Sequence, residues 1–224
     1  MRYYKNFEQA FNETRRELKE MGHDVKLETY QNVDIKDNPD YFTKELAFYS
    51  YMVKNPSTAE LRPGLDHLDW VDAELKERLS RMPTNDAWKL WPDMWEPFMR
   101  DGKFSYTYPE RLFSKIDAVI KELKRDPYSR RAYINLWNDR DYMALEKEDR
   151  VPCTIGYSFL QRDGFLHMEY KMRSCDFASH FVHDVYFAVA LQEHIASKLK
   201  LKVGNFIHNI NSLHIYAKDV KEVF

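Results

Sequence analysis

The spacing of apolar residues changes near residue 126, and this change constrains the fold more than any other feature of the sequence. Residues 109–125 repeat apolar side chains at helical spacing and predict an amphipathic helix. The segments that follow are rich in β-branched and aromatic residues, and Asp163-Gly164 separates two of them as a hairpin turn would. Strands are predicted at 131–137, 154–160, 165–172 and 203–208, with a long, well-buried helix at 182–199. Adjacent antiparallel strands together with helices predict an α+β fold.

The first half of the chain has mostly helical spacing. Apolar residues share one face over 3–21, where Gly22 ends the pattern, and again over 39–53. Residues 54–92 hold four of the nine prolines and predict an irregular excursion with one short helix near 70–81. No linker or repeat divides the 224 residues, so we expect a single catalytic domain over 1–224.

Charge and cysteine content exclude several classes of protein. The formal net charge is −2, without the basic excess that a nucleic-acid-binding protein carries. The two cysteines, Cys153 and Cys175, lack the spacing of a zinc site or a disulfide framework, so no metal is expected and a reducing compartment is favoured. No segment has the apolar length of a signal sequence or a bilayer span. We therefore expect a cytoplasmic protein that binds neither membrane nor nucleic acid.

Cys153 is the first candidate for chemistry. It directly follows Pro152 at the start of a predicted strand, an exposed position with a fixed backbone. Thiolate reactivity depends on nearby positive charge, which Arg150 and Arg173 can supply. A lone cysteine is also often a buried packing residue, so this position alone leaves both interpretations open.

Two arginine motifs suit a phosphate. Arg173-Ser174 offers a charged fork beside a hydroxyl, and Asp176 can accept hydrogen bonds from an amino-heterocycle. Arg130 and Arg131 lie in the turn before a predicted strand, where adjacent side chains face opposite ways, so one or both can reach a partner subunit. A surface ion pair and a solvated basic turn are the plain alternatives.

His214 and Tyr216 follow the last predicted strand. At a spacing of two residues, both side chains point the same way and can bind a sugar hydroxyl together. In isolation, a His-x-Tyr pair is equally an ordinary feature of a core and its rim.

The order of these motifs resembles the thymidylate synthase superfamily. Asp-Pro-x-Ser-Arg-Arg, Pro-Cys, Arg-Ser-x-Asp and His-x-Tyr follow one another between residues 126 and 216, and the likeness extends over about 41–220. The resemblance implies a mixed sheet with packed helices, and a homodimer with its interface on the sheet and shared active sites. It also implies a pyrimidine nucleoside monophosphate as substrate and 5,10-methylenetetrahydrofolate as co-substrate.

The resemblance assigns a role to each motif residue, and it makes Cys153 the nucleophile. The substrate-binding residues that it implies are Arg173, Ser174, His214 and Tyr216, with Arg130 and Arg131 acting from the second subunit. Asp176 is implied to contact the folate. Residues 44–48 resemble the helix that bears the family's catalytic glutamate, which makes Glu45 the candidate. Tyr108, six residues after Gly102, resembles the tyrosine that assists proton removal from C5.

Asp184 separates this chain from the synthases. They have an asparagine eight residues after the aspartate of Arg-Ser-x-Asp, and its amide pairs with O4 and N3–H of uracil. A carboxylate only accepts hydrogen bonds, which suits the 4-amino group of cytosine and an N3 that gains a proton. The same replacement, together with Thr154, Met172 and Ser212-Leu213-His214, resembles the deoxycytidylate hydroxymethylases.

Other departures leave the one-carbon chemistry more open than the nucleotide. His180 stands where both subfamilies usually have glycine, near the expected folate ring, and His183 neighbours Asp184. An early arginine loop for phosphate is not recognisable before Glu45. We expect Cys153 to add to C6 of dCMP or CMP, with water held by Glu45 completing a 5-hydroxymethyl product. A methylating enzyme acting on dUMP or dCMP and a non-catalytic nucleotide-binding relative are the alternatives.

Overall fold

A seven-stranded sheet forms the centre of the protein in a computed structural model, which describes residues 1–30, 33–146 and 150–224. The strands are β1 Arg2–Tyr4, β2 His23–Val25, β3 Thr29–Tyr30, β4 Val33–Asp34, β5 Thr43–Val53, β6 Tyr133–Asn135, β7 Thr154–Arg162, β8 Phe165–Asp176 and β9 Lys202–Tyr216. The order in the sheet is β1-β5-β9-β8-β7-β6, and β2 also pairs with β5. Strands β3 and β4 pair only with each other among the described residues.

The direction of the strands makes this a mixed sheet. β9 lies between β5 and β8, antiparallel to the first and parallel to the second, and β7 pairs antiparallel with β8. The predicted hairpin turn joins β7 to β8, and both Asp163 (φ 49°) and Gly164 (φ 79°) adopt the left-handed conformation that such a tight turn requires. A parallel pair needs a long connection, and the helix at Phe181–Leu199 supplies it between β8 and β9.

The helices surround this sheet. They are α1 Phe7–Met21, α2 Thr58–Leu61, α3 Leu68–Arg78, α4 Pro92–Trp95, α5 Tyr108–Leu112, α6 Lys115–Arg125, α7 Asp139–Glu146, α8 Phe181–Leu199 and α9 Val220–Val223. Single 3₁₀ turns lie at Pro39–Tyr41, Arg62–Gly64, Ala87–Leu90, Glu96–Phe98 and Ala217–Asp219. α8 is buried around most of its circumference, as predicted, because it packs on β8, β9 and α6. In the described parts of the chain, the structure contains no helix that could span a bilayer.

The helix predicted over 39–53 is wrong, because most of this segment forms strand β5. Phe48 explains the error. It adopts a left-handed conformation (φ 52°) in the middle of the strand, and it is 81% exposed. This kink interrupts the alternation of a strand, because Ala47 and Phe48 are both exposed between the buried Leu46 and Tyr49, which are three residues apart. That spacing imitates the face of a helix.

The single helix predicted over 109–125 is broken in two. α5 ends before α6 begins because Ser114 takes a left-handed conformation (φ 63°) that no helix continues. Phe113, one of the apolar residues of the 109–125 pattern, is 47% exposed at the break. The amphipathic pattern therefore describes α6 and not the whole segment.

The remaining predicted elements are confirmed with changed bounds. α1 ends at Gly22 as predicted, but a short strand, β1, precedes it, and Asn6 caps its first turn by accepting a hydrogen bond from the N–H of Gln9. α3 occupies the region predicted near 70–81. The strand predicted over 203–208 corresponds to the first part of β9, which begins at Lys202 and continues to Tyr216.

Candidate active site

A cavity of about 770 Å³ opens at the carboxyl ends of the central strands β8 and β9, next to the start of α8. Because β8 and β9 are parallel, Asp176 and His214 lie side by side at their carboxyl ends. Eight of the twelve residues predicted for the site line this cavity: Tyr108, Cys153, Ser174, Asp176, His180, Asp184, His214 and Tyr216. The fold therefore brings together residues that are far apart in the chain.

Cys153 lies directly before β7, beside Arg173 on β8. Its carbonyl accepts a hydrogen bond from the N–H of Arg173 (2.8 Å), and the Arg173 guanidinium reaches its Sγ at 3.9 Å. Burial raises the pKa of the Cys153 thiol, and the charges of Arg173 and Arg150 act in the opposite direction. The two arginines predicted to activate this thiol thus favour the thiolate against the cost of burial.

Arg173 is fixed by the backbone around Cys153. Its Nε donates to the carbonyl of Pro152 (3.0 Å), and its Nη2 donates to the carbonyl of Val151 (3.2 Å). Ser174, the next residue, lines the cavity. These contacts hold a positive charge beside Cys153, while the phosphate-binding role of Arg173 and Ser174 stays a prediction.

Two tyrosines lie close to Cys153. The hydroxyl of Tyr108 accepts a hydrogen bond from the N–H of Thr154 (3.3 Å). Tyr106, which the sequence did not single out, donates to the carbonyl of Val151 (3.3 Å) and packs edge-on against Tyr108. Burial raises the pKa of Tyr106 to about 12 and that of Tyr108 well above its ordinary value. Both phenols therefore keep their protons near pH 7 and are suited to positioning a water molecule.

Asp184 lies in the first turn of α8 and lines the cavity. Burial raises the pKa of this carboxyl to about 7, and the positive charge of Arg78 partly opposes the shift. Near neutral pH the group is therefore divided between acid and carboxylate. The acid can donate a hydrogen bond and the carboxylate cannot, so the proton on Asp184 governs what it can pair with.

A buried ion pair on α3 was not predicted from the sequence. Glu74 Oε1 and Arg78 Nε are 2.6 Å apart, with side chains 13% and 8% exposed. Arg78 lines the cavity, and Glu74 lines an adjoining pocket of about 450 Å³ whose lining also includes Tyr108. The available signal was a Glu and an Arg four residues apart on a helix. It is common on solvent-facing helices, and nothing in the irregular stretch 54–92 marks this pair as buried.

Aromatic rings form much of the remaining lining. We call this group the aromatic wall: Trp70, Trp95, Phe98, Tyr106 and Tyr108. Trp70 is 3% exposed and stacks against Trp95, with ring centroids 5.5 Å apart. The guanidinium of Arg150 lies over Phe98 at 4.4 Å and over Tyr106 at 5.2 Å. Flat rings flanked by a guanidinium suit a planar heterocyclic ligand.

His180 and His183 lie at the start of α8, next to this wall. His180 packs against Trp95 with nearly parallel rings, 6.1 Å between centroids. Burial lowers the pKa of His180, opposed by the charge of Asp176. His183 Nε2 lies 3.0 Å from the carboxylate of Asp66, and burial lowers the pKa of His183 as well. Both imidazoles are therefore mostly neutral near pH 7 and offer hydrogen bonds more than charge.

The end of β9 carries the two residues predicted to bind the sugar. His214 and Tyr216 both line the cavity, as their spacing predicts, and their rings meet edge-on with centroids 5.2 Å apart. Together with Cys153, Ser174 and Asp176 they form what we call the strand wall. Contact with a sugar remains a prediction.

Glu45 is placed differently from what the sequence indicated. It lies on β5, a strand, and not on the predicted helix. It pairs across the sheet with His214, and its carboxylate accepts a hydrogen bond from the hydroxyl of Ser212. Glu45 is not one of the described residues that line the cavity. The kink at Phe48 is the physical reason that its segment imitated a helix.

Arg130 and Arg131 also lie outside this cavity. The side chain of Arg131 is 72% exposed and forms an ion pair with Glu122 (2.9 Å). Ser129 donates a hydrogen bond to the same carboxylate, and Arg130 is exposed. One chain alone does not bring the Arg-Arg pair to the site, so its action from a second subunit stays a prediction.

Comparison with known proteins identifies relatives of this chain. The thymidylate synthase family model matches residues 66–224. A putative thymidylate synthase of Methanocaldococcus jannaschii is 34% identical over 125 residues, which covers 51% of this chain and 56% of that protein. A thymidylate synthase of Lactococcus lactis subsp. cremoris is 28% identical over 198 residues, covering 83% of this chain and 69% of the relative. The match spans about half the length of each of three of the most similar curated relatives.

A solved structure shows the same fold. Thermostable thymidylate synthase A from Bacillus subtilis superposes with a TM-score of 0.75 at 20% identity, over 97% of this chain and 82% of that one. The predicted α+β fold with a mixed sheet and packed helices is confirmed. The range that matches the family model includes Glu74 on α3 but not Glu45 on β5.

Proposed function

The chain belongs to the thymidylate synthase family, and on that premise we propose that it adds a one-carbon unit to C5 of a cytidine 5′-monophosphate. The product is the 5-hydroxymethyl nucleotide, and dCMP is the first substrate to test. The one-carbon donor is 5,10-methylenetetrahydrofolate, the co-substrate of this family.

Asp184 carries the choice of cytosine over uracil. It lines the same cavity as Cys153, and burial raises its pKa to about 7. The carboxylate accepts a hydrogen bond from the 4-amino group of cytosine, and it stabilises a proton on N3 as the ring is attacked. Uracil presents a carbonyl oxygen at C4, which a carboxylate repels.

Cys153 begins the chemistry. Its thiolate adds to C6, forming the S–C6 bond, and the electron pair of the C5=C6 double bond moves toward C5 and into the ring. C5 thereby becomes nucleophilic enough to attack the one-carbon unit, and the new bond to C5 forms as that carbon's bond to one folate nitrogen breaks. Loss of the C5 proton, assisted by Tyr108 or a bound water, and cleavage of the second carbon–nitrogen bond release tetrahydrofolate and leave an exocyclic methylene on C5. Arg173, 3.9 Å from Sγ, favours the thiolate before the attack.

The co-substrate fits between the aromatic wall and Asp176 of the strand wall. Rings such as Trp95 offer flat surfaces for a pterin, and Asp176 offers a carboxylate for its amino and N–H groups. His180 lies between these two features, packed against Trp95 and within reach of the charge of Asp176. We assign Asp176 and His180 to this co-substrate.

Water completes the hydroxymethyl product. Its oxygen bonds to the carbon carried by C5, its proton passes to a base, C5=C6 re-forms, and the S–C6 bond breaks to release the Cys153 thiolate. We assign the carboxylate that holds this water to Glu74 rather than Glu45. Glu74 is nearly buried on a helix and lines the pocket that adjoins the cavity at Tyr108. Its Oε2 accepts no hydrogen bond from any described residue, whereas Glu45 binds Ser212.

The nucleotide is gripped by residues from two copies of the chain. Arg173 and Ser174 hold the phosphate from one copy, and His214 and Tyr216 hold the sugar. Arg130 and Arg131 reach the same phosphate from the second copy of a symmetric dimer. In support, Arg131 is 72% exposed and therefore open to such a contact.

A second candidate function is methylation of dUMP or dCMP. The pKa of Asp184 leaves this open, because the protonated acid donates a hydrogen bond as the asparagine of the synthases does. In that reaction the one-carbon unit is reduced at the expense of the folate and no water is added.

Product analysis in ¹⁸O-labelled water separates these functions. The protein is incubated with methylenetetrahydrofolate and with CMP, dCMP or dUMP in turn, and the products are analysed by mass spectrometry. We expect a hydroxymethyl product from dCMP or CMP that carries one ¹⁸O. An unlabelled methyl product together with dihydrofolate would establish methylation instead. No product from any of the three nucleotides would indicate a non-catalytic relative.

A further inference from the structure

We propose that Arg78 binds the pyrimidine ring of the substrate directly and supplies the hydrogen-bond donor that Asp184 lacks as a carboxylate. The synthases' asparagine both donates and accepts through one amide. In this chain two residues on different helices, Arg78 on α3 and Asp184 on α8, divide that task. This inference rests on the proposed function for the placement of the nucleotide beside Cys153.

The environment of Arg78 is unusual for an arginine. The residue is 7% exposed, and its guanidinium is sandwiched between the rings of Phe187 (4.0 Å) and Tyr108 (4.6 Å). Its Nε donates to Glu74, but none of the described residues accepts a hydrogen bond from its two terminal nitrogens. These nitrogens are not among the fully buried polar atoms that lack a partner, so they reach the cavity that Arg78 lines, where a ligand can accept their hydrogen bonds.

Asp184 presents the complementary group. Its carboxyl is not hydrogen-bonded to any side chain within the described residues, and no ion pair joins it to Arg78. Both side chains nevertheless line the same cavity, and the charge of Arg78 partly opposes the rise that burial causes in the pKa of Asp184. A donor and an acceptor thus face one cavity, each without a partner of its own there.

Cytosine carries the groups that bridge such a pair. Its 4-amino group donates to a carboxylate, and the adjacent N3 accepts from a guanidinium in the bound nucleotide, before the ring is attacked and N3 gains a proton. In the proposed function, His214 on β9 binds the sugar and Arg173 on β8 binds the phosphate. The ring edge is the part of the nucleotide left to fill the space between α3 and α8.

Binding measurements on an Arg78→Met variant test this inference. Met keeps the length of the side chain and its packing between Phe187 and Tyr108 but removes every donor. Lys76→Met is the matched control, because Lys76 is an exposed residue on the same helix. Titration calorimetry compares dCMP with 2-deoxyribose 5-phosphate, which has the sugar and phosphate but no base.

We expect Arg78→Met to weaken dCMP binding by at least about tenfold, as the loss of a charged hydrogen bond does. Binding of 2-deoxyribose 5-phosphate should stay unchanged, and Lys76→Met should bind both ligands like the wild type. If the unpaired Glu74 prevents the single variant from folding, Glu74→Gln/Arg78→Met removes both charges and should give the same selective loss.

Two outcomes would overturn the inference. Unchanged dCMP affinity in Arg78→Met, or an equal loss for both ligands, would mean that Arg78 only supports the structure. Failure of the proposed function looks different. A wild type that favours dUMP would refute the cytidylate assignment, and Arg78→Met would then weaken dUMP binding in the same base-dependent manner.

Discussion

The strand wall and the aromatic wall enclose one cavity but are positioned in different ways. Side chains of the strand wall are carried mainly by the adjoining ends of β8 and β9, so their places follow from a backbone register that sets Asp176 opposite His214. The aromatic wall is carried by α3, by short turns and by the start of α5, and its places follow from contacts such as Trp70 on Trp95. A backbone ladder resists small displacements, whereas packed side chains adjust to what they touch.

This difference suggests a division of labour. Groups that must meet a reacting atom within a few tenths of an ångström belong on the strand wall. Groups that choose and shield a ligand belong on the packed side, where Arg78 and Glu74 also lie. Changes to the strand wall should therefore abolish the reaction, and changes to the packed side should alter its selectivity or its last step.

The largest effect is expected from Cys153→Ala on the strand wall. Turnover should fall below about 10⁻⁴ of wild type, because the ring is not activated without addition at C6. Binding of dCMP should persist. Release of tritium from [5-³H]dCMP reports the activation of C5 directly, and Cys175→Ala, which removes the other thiol lining the cavity, should keep most of it. Substantial release by Cys153→Ala would exclude this residue as the nucleophile.

Asp184→Asn should exchange the preferred base. The wild type should favour cytosine nucleotides by a factor of up to about 10⁴, since a mismatched polar pair discriminates strongly. The variant should lose most activity on dCMP and gain relative activity on dUMP. The measurement is kcat/KM for both nucleotides in both proteins, and a wild type that already favours dUMP would move the enzyme to the uridylate branch.

The pH profile sharpens the same comparison. With a pKa of about 7, Asp184 is an acid below that pH and a carboxylate above it. Wild-type kcat/KM for dCMP should rise through this range as the group ionises, and Asp184→Asn should lack that inflection. Ionisation of Cys153, whose pKa burial raises, adds a rise at higher pH that both proteins share.

Glu74→Gln and Glu45→Gln compare a carboxylate on the packed side with one beside the strand wall. Glu74→Gln should lower kcat by about 10², the usual worth of a positioned acid–base group. Tritium release should fall less, because C5 is activated before water is needed. Glu45→Gln should remain within about threefold of wild type, since an amide oxygen can still accept the hydrogen bond from Ser212. The reverse ranking would return the water-holding role to Glu45.

The smallest expected effect is the partial return of enzymatic activity when two inactive variants are mixed. If Arg130 and Arg131 complete the phosphate site of a second copy, Cys153→Ala and Arg131→Ala are each inactive for a different reason. Equal mixing should form hybrid dimers with one intact site and restore about a quarter of wild-type activity. The activity of the mixture is followed over time against each variant alone. No recovery, although the variants exchange subunits, would place each site within a single chain.

Much of the strand wall could be predicted from the sequence, and little of the packed side could. Pro152-Cys153 and Arg173-Ser174 are local motifs on regular strands, so their spacing alone fixes their directions. Arg78 and Glu74 lie on a helix that was predicted, but the sequence does not show that this pair is buried. Tertiary packing alone places it at the cavity rather than in solvent. Glu45 was misplaced for a local reason, because one left-handed residue, Phe48, gave a strand the spacing of a helix.

The position of β9 in the sheet has a consequence for how the protein is made. β9 is the last strand of the sheet along the chain, yet it lies between β5 and β8. Chains leave the ribosome from their N-terminal end, so β5 and the β7–β8 hairpin have no common neighbour until residues 202–216 emerge. His214 and Tyr216 arrive on the same strand that closes this gap. Before β9 inserts, the nascent protein therefore lacks two of the residues assigned to the nucleotide, and the facing edges of β5 and β8 are unpaired, a state that favours aggregation.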